Sequence, residues 1–147
     1  MKIFKAIDKV LARFGNIKAM ERNHVDTFTE NLITSIKGNK IAESKFGQIY
    51  ISYQNLSGYE FLNASILSST NIKTYKGCNL VFETNNKNIV IPSDTKEIES
   101  DFSNISNRWL TKVSFIINES NKAMISSGNF ESVTIHYKKT YLKLFKI

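Results

Sequence analysis

The chain has one cysteine, Cys78, and one proline, Pro92, among its 147 residues. A single thiol can form neither an internal disulfide nor a cysteine zinc site. Arginine is almost as scarce, three against seventeen lysines. Arginine is the side chain that grips phosphates and base edges with two parallel hydrogen bonds, so its rarity weighs against sequence-specific nucleic-acid recognition. Six glycines, mostly where turns are expected, leave little material for a nucleotide cradle. The Gly-x-Ser-x-Gly, Gly-x-Gly-x-x-Gly and Walker phosphate-loop patterns are all missing. No apolar run approaches the ~20 residues needed to cross a bilayer. The opening Met1-Lys2-Ile3-Phe4-Lys5-Ala6-Ile7-Asp8-Lys9 resembles a signal peptide for a moment, but Lys5, Asp8, Lys9 and Arg13 interrupt its apolar stretch. The expectation is a cytoplasmic protein without a transmembrane segment, for which no catalytic residue, cofactor or metal ligand is assigned. Enzymes built on scattered carboxylates leave no local signature, so this lowers the expectation of catalysis without removing it.

What the chain does have is positive charge, a formal net of +7. An anionic partner is one explanation. The other is compositional: Lys, Asn and Ile are abundant together, as A/T-rich codons dictate, and the lysines then serve mainly to keep the surface solvated.

The hydropathy pattern changes character near residue 45. Before it, Ile3, Phe4, Ile7, Val10, Leu11 and Phe14 recur at helical spacing, with Lys2, Lys5, Lys9 and Arg13 opposite. A second helix is expected from about Asp26 to Ile36, with Val25, Phe28, Leu32, Ile33 and Ile36 on one side, Asp26 or Thr27 as cap, and Gly38-Asn39 as stop. From Phe46 the period becomes two. Strands are expected around Ile49, Ile51 and Tyr53, over 59–67, 72–75, 79–84 and 89–91, along Trp109, Thr111, Val113, Phe115 and Ile117, and over 130–137 and 141–145. Ser57-Gly58 and Asn85-Asn86-Lys87-Asn88 read as hairpin turns, and Pro92 as a strand end. A short helix is expected at 119–126, closed by Gly128.

Connections this short make the sheet mostly antiparallel. The fold expected is α+β: one domain, a helical segment at 1–40 packed on a β-rich body at 46–147, the sheet being either curved or a two-layer sandwich. Residues 94–109 admit two readings. As strand, Glu97, Glu99 and Asp101 share a face that invites a divalent cation or lysine partners. As helix, Ile98, Phe102, Ile105 and Trp109 form an apolar stripe behind a capping-box start.

The strongest functional texture lies near the C-terminus. His136, Tyr137, Lys138, Lys139, Tyr141, Lys143 and Lys146 interleave rings with charge, and Lys73, Tyr75 and Lys76 repeat this upstream. Rings on a sheet stack bases while lysines neutralise phosphate; equally, strands with one buried half and one lysine-rich half look the same, and edge lysines discourage aggregation. Lys73, Tyr75, Lys76, His136, Lys138, Lys139 and Lys143 are therefore the candidate contacts for an anionic partner. Cys78 with His136 is a nucleophile–base pair the composition permits, though Cys78 follows Gly77 at the start of an apolar run, where a small buried thiol is the usual finding. The leading functional expectation is a non-enzymatic binding or scaffold domain for a protein or an anionic surface. A nucleic-acid-binding module is the alternative, and an enzyme or small-ligand carrier without recognisable motifs comes third. Residues 1–15, lysines around an apolar stripe, suit an anionic membrane surface if they do not pack on the sheet.

Overall fold

The computed structural model describes residues 27–147. Helix α1 covers residues 27–34. It is followed by β1 (Asn39–Ser44), β2 (Gly47–Leu56), β3 (Tyr59–Ser68), β4 (Lys73–Thr74), β5 (Asn79–Glu83), β6 (Asn88–Pro92), β7 (Ile98–Glu99), β8 (Asp101–Ser103), β9 (Arg108–Ile117), α2 (Glu119–Ser126), β10 (Ser132–Tyr137) and β11 (Thr140–Lys146). Nine strands form one sheet in the order β6-β5-β10-β11-β1-β2-β3-β9-β8, and β4 pairs with β7 alone. Every pairing is antiparallel. The described residues thus form a single α+β domain built on an antiparallel sheet, and of the two forms expected it takes the curved one.

The sheet curls because one face of each strand is apolar and buries against the others. Leu62, Ala64 and Ile66 of β3, Val113, Phe115 and Ile117 of β9, Val133 and Ile135 of β10, and Leu142 and Leu144 of β11 all point into one core. Burying each of these side chains other than Ala64 is worth about 1.5–3 kcal/mol. Curling brings the two ends of the sheet together. Ser93, just past β6, bridges to Phe115 of β9, and Asp94 N–H donates to the Ser114 carbonyl at 2.8 Å. Among the described residues the sheet nevertheless stops short of a closed barrel.

On the outer face, α1 lays Ile33 against Leu67 of β3 and Leu110 of β9, with Leu32, Ile36 and Tyr50 around them. Period two therefore breaks here: Ile66 and Leu67 are both buried, as are Leu110 and Thr111, since these strand segments are covered on both sides. The Glu30 carboxylate pins the helix by accepting from Ser103 Oγ at 2.8 Å and Ser106 Oγ at 2.7 Å. The second helix, α2, starts on Asn118, whose side chain accepts from Asn121 N–H at 2.7 Å, and it sends Ile125 into the core.

Several expectations need correction. Phe28, expected on the buried side of the second helix, is 61% exposed. The sheet begins at Asn39 rather than Phe46, and Phe46 itself sits in the turn between β1 and β2. Residues 94–109 hold β7, β8, a turn and the start of β9 but no helix, so the helical stripe fails: Ile98 joins the core, Phe102 packs on Trp109 at 4.8 Å between ring centres, and Ile105 is exposed in the turn after β8. The first expected helix, Ile3 to Phe14, and residues Val25 and Asp26 lie outside the described residues.

Candidate binding surface

Two residues, Lys138 and Lys139, connect β10 to β11, so the hairpin is tight and its register exact in phase. Lys138 carries the turn at φ +54°. With Tyr137 opposite Thr140, the inward residues of the pair are Val133, Ile135 and Tyr137 against Leu142 and Leu144. The outward side of β11 is then Tyr141, Lys143 and Phe145, with His136 and Thr134 beside them on β10. Tyr141 is 65% exposed and Phe145 is 55% exposed. His136 packs on Tyr141 at 5.8 Å between ring centres, and Lys143 Nζ lies over the Phe145 ring at 5.6 Å.

Next to β11, the turn between β1 and β2 presents Lys45 and Phe46. Phe46 is 53% exposed, with Lys45 Nζ over its ring at 5.1 Å. The Phe46 carbonyl is tied to Ser69 N–H at 3.0 Å, which fixes the turn against the end of β3. Between these two walls lies an open cleft of about 720 Å³, lined by Lys45, Phe46, Thr70, Tyr141, Lys143 and Phe145 among others. That volume lies within the ~300–1,000 Å³ usual for ligand clefts, and the lining is of the usual kind, mostly apolar with a few polar groups.

The electrostatics of this surface are partly balanced. Lys143 Nζ is 3.0 Å from Glu83, which also accepts from Ser132 Oγ. The Ser132 hydroxyl first, and Lys143 second, hold the Glu83 carboxyl below its ordinary value. Glu43 is taken up by Lys40 at 2.9 Å. Lys45, Lys138 and Lys139 have no carboxylate partner among the described residues.

The seven candidate residues divide into two groups. His136, Lys138, Lys139 and Lys143 come together on the hairpin beside the cleft. Lys73, Tyr75 and Lys76 are also exposed but do not line it. They lie toward the same end of the sheet, since Tyr137 Oη donates to the Asn71 carbonyl at 3.4 Å and Asn79 faces His136 across β5 and β10. Lys73 is paired with Glu99 at 3.4 Å. Phe46, Lys45 and Phe145 are additions that the alternation of rings and lysines did not single out. The available signal was the Lys45-Phe46 pair itself, an aromatic between Ser44 and Gly47 at a hairpin turn.

Cys78 lies in the core with its thiol pushed up to about 11, chiefly by burial. His136 is on the opposite, outer face, so the two do not form a nucleophile–base pair. Glu97, Glu99 and Asp101 are exposed, and no group of three metal-ligating side chains occurs among the described residues. No helix among them is long and apolar enough to cross a membrane. No family model, curated protein or solved structure matches the chain.

Proposed function

We propose that the chain is a non-catalytic binding module whose contact surface is the cleft beside β11, and that its partner is a protein surface carrying negative charge. The observation that carries this reading is the gathering of three aromatic rings, each more than half exposed, around one cleft. Exposed apolar surface costs free energy in water, and a group of such rings rimmed by polar residues is typical of interaction sites. Lys45, Lys138 and Lys139 supply the sign of the partner. Nucleic acid is the second reading, favoured by the Lys45–Phe46 and Lys143–Phe145 pairs, because a ring and a cation side by side suit a stacked base and its phosphate.

The test is affinity capture from native lysate with the wild-type chain and with a Phe46→Ser/Tyr141→Ser double variant, each with and without nuclease. Both side chains are exposed, so the variant is expected to fold. A partner recovered by the wild type, resistant to nuclease and reduced about tenfold or more by the double variant supports the reading. Equal recovery by both chains, or recovery abolished by nuclease, overturns it.

A further inference from the structure

The cleft is also a gap in the sheet. β11 runs the full length of β10, but it meets β1 only through Phe145 and Lys146, because β1 turns away after Ser44. Antiparallel pairs alternate between residues that exchange hydrogen bonds with a given neighbour and residues that do not. Lys146 N–H donates to the Glu131 carbonyl at 3.1 Å, which sets the phase: Leu144, Leu142 and Thr140 bond to β10. The N–H and C=O groups of Phe145, Lys143 and Tyr141 point the other way. Phe145 finds Glu43 of β1 as its partner. Tyr141 and Lys143 pair with no strand on that side among the described residues, and their backbone groups open into the cleft.

Resting on the binding-module reading, we propose that an extended segment of another polypeptide, with carboxylates alternating with apolar residues, docks as an added strand on the β11 edge at Tyr141 and Lys143. Backbone donors and acceptors alternating along one edge are answered fully only by another extended backbone. The period of two follows, since every second side chain of such a strand lies on the outer face with Phe46, Tyr141 and Phe145. Carboxylates follow from Lys45, Lys138 and Lys139, which have no acidic partner among the described residues, and from a cleft lining that, among those residues, contains lysines and no acid. The sheet's two outer edges differ. β8 is three residues long, and β6 ends in Pro92, which lacks a donor.

The experiment is selection of random dodecapeptides displayed on phage against the full chain, followed by affinity measurement on Lys143→Ala, Lys143→Pro and Phe46→Ser/Tyr141→Ser. Proline at 143 removes an N–H that bonds to no strand, while alanine keeps it, so the pair separates the backbone donor from the lysine charge. Enriched peptides are expected to alternate Asp or Glu with apolar residues. Their affinity is expected to fall about tenfold or more from Lys143→Ala to Lys143→Pro, and similarly when the peptide amides facing β11 are N-methylated. Should the proline variant fail to fold, the N-methylated peptides make the same test from the other side. No enrichment, or enrichment of basic or uncharged sequences, overturns the proposal. Peptides that tolerate both proline and N-methylation overturn strand addition alone and leave the cleft as a side-chain binding surface. Peptides that bind the Phe46→Ser/Tyr141→Ser variant as tightly as the wild type overturn both readings. Oligothymidylate binding to the cleft in place of any enriched peptide overturns both in favour of nucleic acid.

Discussion

Gly38 joins α1 to β1 at φ +107°, and a Cβ there would lie 2.4 Å from the Ile51 carbonyl oxygen. Both facts require glycine, so Gly38→Ala is expected to destabilise by about 2 kcal/mol or more, read from the midpoint of urea unfolding. Thr111 presents the opposite case. Its hydroxyl is buried at 0% exposure and finds no hydrogen-bond partner among the described residues. Leaving such a group unsatisfied costs about 1–3 kcal/mol, so Thr111→Val, which keeps the shape and removes the hydroxyl, is expected to raise stability by about 1 kcal/mol. In the core, Phe82 is wholly buried and packs edge-on against Phe130 at 5.2 Å; Phe82→Ala is expected to cost about 3–5 kcal/mol in the same unfolding measurement. The buried identities of Ile49, Ile51, Val113 and Phe115 were legible because period two states them outright. The exposure of Phe46 was marked only by its place beside Gly47 at a turn, a far weaker signal than period two.

Hairpins were the most legible elements, because Ser57-Gly58 and the Asn85-Asn86-Lys87 stretch carry turn chemistry on their face. β1 was hidden for the converse reason. Its apolar residues are only Ile41 and Ala42, adjacent rather than alternating, and a bulge between Lys40 and Ala42 shifts its register. The fastening of α1 is likewise non-local: Glu30 is held by Ser103 and Ser106, far along the chain. The Ser106 and Ser103 hydroxyls, in that order, hold the Glu30 carboxyl below its ordinary value of 4.5. A carboxyl depressed in the native state stabilises fully above its unfolded-state pKa, and that stabilisation fades as pH falls through the native one. The wild type is therefore expected to exceed Glu30→Ala in stability at pH 7, with the difference shrinking below about pH 4 in parallel urea titrations. A difference that grows on acidification would contradict this assignment.

Across the molecule, the candidate site comes from strand lengths and register rather than from any segment. The ring-and-lysine alternation along the β10–β11 hairpin was legible, and it led to His136, Lys138, Lys139 and Lys143. The cleft itself exists because β1 is too short to cover β11, a fact that appears only when residues 39–44 are paired with both β2 and β11. Closing that gap with a foreign strand would complete the ladder that β1 leaves unfinished. Residue-resolved amide hydrogen exchange on the full chain in the absence of any partner tests this most directly. Leu142 and Leu144 are expected to exchange slowly, held by β10, while Tyr141 and Lys143 exchange like exposed amides. Protection of Tyr141 and Lys143 equal to that of their neighbours would mean that the edge is already filled, and would contradict the account.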